Sequence, residues 1–355
     1  MEFGLSAEQI LLQDQVSRFL KEQVPLESVR KVAEGKETDK GVWSNLANLG
    51  IPGILIKEKH GGLGLTLLDA AVVAENLGYN VTPSPFLSTA VIAPIVLQLA
   101  NKREDVLSAI SAGEKRVGIA FSQAIQPQHE SGIQLDGAII EGRLLFAIDS
   151  DADYYLVADE QKAIYIVDVT SGGLEVSPLA TVEKTRSTAE LSFSRVKAEK
   201  ISDDREVFHQ AWNAALVVMA ADTLGASQSA LDQAVTYAGQ REQFNRVIAS
   251  FQAVKHMCAE MAAHLEPCRA MVWYSAHAFD EIPAEATMMA CHTKAHLSEV
   301  GQFVTRTATE VHGGMGFTDL VGLHYWFKRA GFNRQMLGSP ELLRKRAATS
   351  QNLCA

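Results

Sequence analysis

From Val207 onward the small and apolar positions recur at spacings of three and four. Val217, Val218, Ala221, Leu224, Gly225, Gln228, Leu231, Ala234, Val235 and Ala238 fall on one face of a helix that no proline interrupts. The pattern breaks across Arg241–Arg246, where Gln243, Asn245 and two arginines replace the small apolar residues. A second helical pattern starts near Phe251 and carries Val254, Met257, Cys258, Met261 and Leu265. Pro267 and Pro283 punctuate the helical run beyond it, and the string EVHGGMGF, Glu310 to Phe317, closes a third long helix with glycines.

The first 105 residues also read as helices. Ser6 with Gln9 three positions later is a capping-box signal, and the run to about Gln23 carries Ile10, Leu11, Val16, Phe19 and Leu20. A second helix is expected over Gly41–Leu49, ended by Gly50. A glycine-rich loop, Gly50–Leu65, precedes a helix over Leu68–Leu77. Pro83 and Pro85 then break the chain before an apolar helix over Thr89–Leu99. From Val117 to Val196 the texture changes to alternation and β-branched runs divided by Gly, Asp and Ser clusters, the pattern of a small antiparallel barrel or sandwich. The expected fold class is therefore α+β: an all-α domain over 1–115, a β-barrel over 116–203, and a C-terminal helical bundle over 204–355.

With 355 residues, 47% of them apolar, the chain can bury a large core in two or three domains. A formal charge of −10 disfavours general attraction to nucleic acid or an anionic membrane, so an anionic ligand would need a local basic pocket. The absence of an 18-residue apolar run, and of a basic and then apolar start in MEFGLSAEQI, leads us to expect a soluble, unexported, cytoplasmic protein. Cys258, Cys268, Cys291 and Cys354 have neither paired nor metal-ligand spacing and read as thiols; no metal site is expected.

At the Arg241–Arg246 junction an arginine and an aromatic meet between two helices. A guanidinium there can fork onto phosphate oxygens while Phe244 supplies a flat apolar wall; the plain alternative is a basic turn. The pattern Arg-x-Gln-Phe…Ile…Phe-Gln, Arg241 to Gln252, resembles the C-terminal helical domain of the acyl-CoA dehydrogenase family. His312–Phe317 resembles that family's second motif, and the Gly50–Leu65 loop resembles its N-terminal glycine loop. The resemblance spans nearly the whole chain. It implies a helical domain, a β-barrel and a four-helix bundle, FAD as cofactor, an acyl-CoA thioester oxidised at Cα–Cβ, and a separate electron-transfer acceptor.

Carried over position by position, the resemblance implies that Arg241, Phe244, Gln252, Gly313 and Gly314 reach the FAD of a neighbouring subunit. Glu310 stands where the family usually has glutamine; it can accept from a ribose hydroxyl but cannot donate. The residues a subunit offers its own flavin are eroded. In FSQAIQPQHESG, Phe121 to Gly132, Ser122 can replace the family's threonine hydroxyl, but the glycine-serine-aspartate turn is missing. Phe146–Ala147–Ile148 stands for the tryptophan–isoleucine–threonine that covers the flavin: Phe146 can stack, and Ile148 cannot donate. The usual base, a glutamate before glycine-threonine, is replaced by Leu337 before Gly338 and Ser339, and the minority position falls near Ala215. Glu341 lies a helical turn away, and Asp222 reads as a carboxylate of the bundle.

Three readings are open. The chain is one of two unlike subunits of a heteromeric acyl-CoA dehydrogenase, a heterodimer or heterotetramer, completing the site of a homologous partner that carries the base. Or it is a homo-oligomeric dehydrogenase with a displaced base. Or it is a flavin-binding relative outside the dehydrogenases, or a silent scaffold. Random decay would strike both sets of residues alike, whereas those directed at a neighbouring subunit's flavin are well kept, which favours the first.

Overall fold

The computed structural model describes residues 4–127 and 131–353. Part of the Phe121–Gly132 stretch, and Cys354, lie outside them. Helices α1 (Ala7–Gln23), α2 (Leu26–Ala33), α3 (Lys40–Ala47), α4 (Leu67–Tyr79), α5 (Ala93–Leu99) and α6 (Glu104–Ser111) come first. The Ser6–Gln9 capping box forms reciprocally: Gln9 N donates to Ser6 Oγ at 3.2 Å, and Ser6 N donates to Gln9 Oε1 at 3.0 Å. The apolar helix expected from Thr89 starts earlier, because Phe86–Ile92 is a turn of π-helix that feeds into α5.

The β region holds β1 (Val117–Ala120), a four-residue α7 (Ser122–Ile125), then β2 (Gly132–Asp136), β3 (Ile139–Ile148), β4 (Tyr154–Ala158), β5 (Ile164–Asp168), β6 (Leu174–Pro178), β7 (Thr188–Lys197) and β8 (Glu199–Ser202). They make one sheet in the order β6-β7-β3-β1-β4-β5-β8, with β2 on β3. The expectation of a wholly antiparallel arrangement fails at one junction, where β1 and β4 run parallel with Val117 opposite Tyr154. The topology requires this. β3 lies antiparallel on one side of β1, and β4, next in the chain, reverses again and pairs on the other side. β1 is buried along its whole length, as a central strand must be, and Ile140, Leu144, Tyr155, Val157, Leu191 and Phe193 build the core beside it.

The remainder is helical: α8 (Arg205–Gln240), a hairpin of β9 (Glu242–Gln243) and β10 (Arg246–Val247), α9 (Gln252–Glu281), α10 (Pro283–His312), α11 (His324–Gln335) and α12 (Pro340–Ser350). The order helices, sheet, helices is thus the one the periodicity predicts. Pro267 does not punctuate the chain as expected; it sits inside α9, where packing along α10 outweighs the lost hydrogen bond. α8 is long and apolar enough to cross a membrane, yet 94% of its most apolar window is buried within the protein, as in a core helix.

Two compact units are distinguishable, one of residues 1–37, 71–82 and 216–355, the other of 38–70 and 83–215. Within the first, α4 and α8 meet backbone to backbone. A Cβ on Gly78 would collide with the Asp222 carbonyl, and one on Gly225 with that of Glu75. Beside this crossing lies a fully buried ion pair. Arg329 of α11 donates from Nε and Nη2 to the two Asp222 oxygens at 3.0 and 2.6 Å, and from Nη1 to Thr82 O at 3.0 Å. Asn333 Nδ2, one turn on, donates to Asp222 Oδ1 at 2.7 Å and to Thr223 Oγ1 at 3.0 Å. Both members of the pair are 2% exposed.

Removing one partner leaves an uncompensated buried charge, so Arg329→Met should destabilise the protein by about 3–5 kcal/mol. The double variant Asp222→Leu, Arg329→Met should recover part of that loss. Urea unfolding of the three proteins checks this, and equal stability of Arg329→Met and wild type would refute it.

Candidate functional site

The segment after α8 is fixed by backbone bonds. Arg241 N donates to Tyr237 O at 2.8 Å, closing the last helical turn, and Ile248 N donates to Arg241 O at 2.8 Å across the hairpin. The two-residue loop is Phe244–Asn245, with φ of 53° and 59°, the paired positive values that a tight type I′ hairpin demands. The loop suits Asn245 but not a bulky aromatic, and Phe244 is nonetheless held there with 88% of its surface exposed. Its ring meets Phe251 edge-on at 6.2 Å, and Arg246 lies over the Phe251 face at 4.0 Å. Arg246 is thereby occupied. Arg241, also exposed, has no side-chain hydrogen bond or ion pair among the described residues. Gln252, the first residue of α9, is exposed beyond it.

The end of α10 approaches the same place. His312, its last residue, is buried, has no charged partner among the described residues, and lies with Nδ1 2.7 Å from Ala308 O, so Nδ1 carries the proton. Burial pushes its pKa down, with the Ala308 bond opposing. The ring stacks on Tyr237 at 4.5 Å between centroids and 25° between planes. Tyr237 is the residue whose carbonyl holds Arg241, and His312 precedes Gly313, so one stack joins the two sequence motifs. Gly313 adopts φ 58° and ψ −139°, a conformation open to glycine. Nothing lies within 4 Å of where a Cβ would stand on Gly313 or Gly314. Glu310 is exposed and reaches Arg306 Nε at 3.5 Å. A free guanidinium, an exposed aromatic ring and an open glycine turn suit a dinucleotide: the cation for its phosphates, the ring for a flat face, the glycines for close approach.

In the second unit, Ser122 and Phe146 are also brought together. Ser122 Oγ donates to Leu145 O at 2.6 Å, so its proton is already used and only its lone pairs remain for a ligand. Phe146 sits in a bulge of β3 between Leu144 and Ala147, with φ 56° and 41% exposure. Ile148 is buried in the sheet opposite Ile119 and Thr188. Sequence reasoning missed Asp149, the next residue. Its carboxyl is buried, hydrogen-bonded to Ser88 of the π-helical turn, and pushed up to about 7 by burial, against the pull of Ser88 and of Arg186 and Arg116. Ser88 also lies 3.0 Å from Pro85 O. One hydroxyl proton cannot serve both acceptors; a protonated Asp149 donating to Ser88 resolves the conflict.

The positions where a base was sought are closed. Leu337 is 7% exposed with φ 58°, followed by Gly338 at φ 120°. Lys294 of α10 is buried behind this loop and donates from Nζ to Arg334 O at 2.8 Å and to Gly338 O. Burial, with Arg334 nearby, lowers that amine to about 7. Ala215 is buried. Glu341 is exposed in the first turn of α12, 3.4 Å from Arg334 Nη2, its pKa lowered by its own backbone amide and by Ser339. Asp222 is consumed by Arg329, as its reading as a bundle carboxylate implies. No cluster of three or more His, Cys, Asp or Glu side chains suited to a metal occurs among the described residues.

Residues 6–114 match the family model for the acyl-CoA dehydrogenase N-terminal domain, and residues 206–351 match that for the acyl-CoA dehydrogenase C-terminal domain. The Mycolicibacterium smegmatis protein named acyl-CoA dehydrogenase IpdE2 is 30% identical over 345 residues, 96% of this chain and 98% of that protein. Among solved structures, the ChsE4–ChsE5 complex of Mycobacterium tuberculosis is similar with a TM-score of 0.89 at 22% identity, covering 100% of both chains. Butyryl-CoA dehydrogenase of Megasphaera elsdenii gives 0.89 at 20% identity, covering 99% of this chain and 100% of its own. At these identities the structural likeness speaks to the fold.

The Asp149 environment has a measurable consequence. A carboxyl whose pKa is raised on folding favours the folded state below its unfolded value near 4, and that contribution is lost as pH rises through about 7. Asp149→Asn keeps the hydrogen-bonding shape and tolerates the positive φ, so it should raise Tm at pH 8 relative to wild type, with little gain at pH 4. Differential scanning fluorimetry across that range checks the sign. A gain independent of pH would show that the Asp149 pKa is not raised on folding.

Proposed function

The chain belongs to the acyl-CoA dehydrogenase family, and we propose that within it this protein is the base-lacking subunit of a heteromeric FAD-dependent acyl-CoA dehydrogenase. The observation that carries this reading is the loop at Leu337: a buried leucine occupies the place where the family resemblance puts the glutamate, Glu341 stands four positions further on, exposed beside Arg334, and Asp222 is consumed by Arg329. The residues that would face another subunit's flavin are, by contrast, kept, with the exception of Glu310. Arg241 would take a diphosphate of FAD held mainly by the partner, Phe244 would lie against its apolar surface, and Gly313–Gly314 would admit it without steric hindrance. Glu310 would accept from a sugar hydroxyl there.

When bound, FAD supplies the hydride acceptor for Cα–Cβ oxidation of the acyl-CoA thioester. The general base would come from a homologous partner, in a heterodimer or heterotetramer that passes electrons to a separate acceptor. The ChsE4–ChsE5 complex, a neighbour in fold, pairs two chains in its name. The fully exposed Phe244 loop favours the same view, since a hairpin strained to present an aromatic ring to water has an occupant elsewhere.

The test is a dye-linked steady-state assay on this chain alone and on the complex isolated from its native host through a tag on this chain. Alone it should turn over weakly, because general base catalysis contributes about 10²–10⁴-fold. In the complex, Arg241→Ala should weaken FAD retention by about 1.5–3 kcal/mol, the loss of a charge-assisted contact. Glu341→Gln should leave turnover intact. Robust turnover by the chain alone, abolished by Glu341→Gln, would replace this reading with the displaced-base one.

A further inference from the structure

Two residues with no assigned part in dinucleotide binding stand where they control its geometry. The Tyr237 carbonyl accepts the Arg241 backbone N–H at 2.8 Å, so Tyr237 stands one helical turn before Arg241 and is tied to the backbone from which the guanidinium extends. His312 is bonded covalently to Gly313, and its own position is held from three sides. Its Nδ1–H donates to Ala308 O, its ring face lies on Tyr237 at 4.5 Å, and the turn beyond folds back on it. A Cβ on Gly316 would stand 3.1 Å from His312 Cβ and 2.7 Å from Thr309 O, so that return is as tight as glycine permits. Arg241 and the glycine turn belong to the ends of two helices 72 residues apart in sequence, from 241 to 313, and the Tyr237–His312 stack joins those ends.

We infer that Tyr237 and His312 are positioning residues, whose stacked rings hold Arg241 and Gly313–Gly314 at a fixed spacing as one edge for the diphosphate of a dinucleotide. The inference rests on the reading of Arg241–Gln252 as a clamp on a partner's FAD. A guanidinium on a flexible stem contributes little unless its base is fixed, because a bidentate contact to phosphate tolerates small displacements poorly. The two ring faces join the α8 and α10 ends, and the Nδ1–H bond to Ala308 O keeps the His312 ring from turning or sliding out of the stack. The tyrosine hydroxyl has no part in this, so the ring alone should suffice.

The experiment uses the complex isolated through a tag on this chain, stripped of FAD and titrated with FAD by quenching of flavin fluorescence. Thermal stability and assembly by sedimentation are measured alongside. Tyr237→Leu and His312→Leu, which keep apolar volume but remove a ring, should raise the FAD dissociation constant roughly tenfold, while Tyr237→Phe binds like wild type. Arg241→Ala reports on the underlying clamp. If it weakens FAD binding while both leucine variants bind FAD normally, the positioning role is wrong and the clamp stands. If Arg241→Ala itself binds FAD normally, the clamp reading falls and this inference with it. Should both leucine variants fail to assemble while Arg241→Ala assembles, the stack is a folding element and the inference is overturned.

Discussion

The Asp222–Arg329 pair is the constraint on which the helical unit depends. Glycines at 78 and 225 let the backbones of α4 and α8 touch, and that contact leaves no room for a side chain to adjust the crossing. The carboxylate of Asp222 therefore sits at a fixed place, and α11 must bring Arg329 and Asn333 to it or leave it bare. Arg329 reaches on to Thr82 O, so a single guanidinium registers α8, α11 and the segment that follows α4. Trp326 on the same helix adds a donor to Tyr79 O at 2.9 Å, and Tyr79 in turn donates to Asp232 at 2.9 Å. With the start and middle of α11 so fixed, its far end is finished by Lys294, whose ammonium or amine supplies the donor that the last carbonyls lack. The loop at Leu337 inherits its position from these two anchors.

Local periodicity made the elements legible. The three-and-four spacing from Val217 to Ala238 is α8, and the alternation after Val117 is the sheet, because each reports a face that must be buried and needs no knowledge of its partner. The Ser6–Gln9 cap was legible for the same reason, being complete within four residues. What could not be read was anything decided by distant packing. Pro267 looks like a breaker in isolation, and only the length of α9 along α10 keeps it helical. Asp222 was readable as a bundle carboxylate, but its partner lies 107 residues on, with no local pattern to connect them.

The candidate site divides along the same line. The motif residues Arg241, Phe244, Gly313 and Gly314 carried a sequence signal, yet nothing in the sequence joined the two motifs: Tyr237 looked like one more helix position, and His312 like part of the glycine string. Asp149 carried no signal, since an aspartate after a strand normally caps a turn in water. It is the π-helical turn at Phe86–Ile92, invisible to a periodicity of 3.6, that delivers Ser88 to it and buries it.

Backbone strain links these points. Among the described residues four apolar side chains have positive φ, namely Val81, Phe146, Phe244 and Leu337. Each L-residue held there costs about 1–2 kcal/mol, and the cost is borne only where surroundings leave no alternative. Val81 precedes Thr82, the carbonyl that Arg329 holds. Phe146 presents its ring from a bulge within β3, and Phe244 from a two-residue hairpin loop. Leu337 is the informative member, because a leucine gains nothing from φ 58° that a glycine or asparagine would not supply at lower cost. Its conformation is imposed by Lys294 on one side and by Gly338 and the capped start of α12 on the other. The geometry of that loop is therefore a property of the bundle, independent of the side chain it displays. On the proposed reading, a leucine where the family has its glutamate would cost the proton acceptor and leave the loop in place, so the bundle surface would be unaffected by the change.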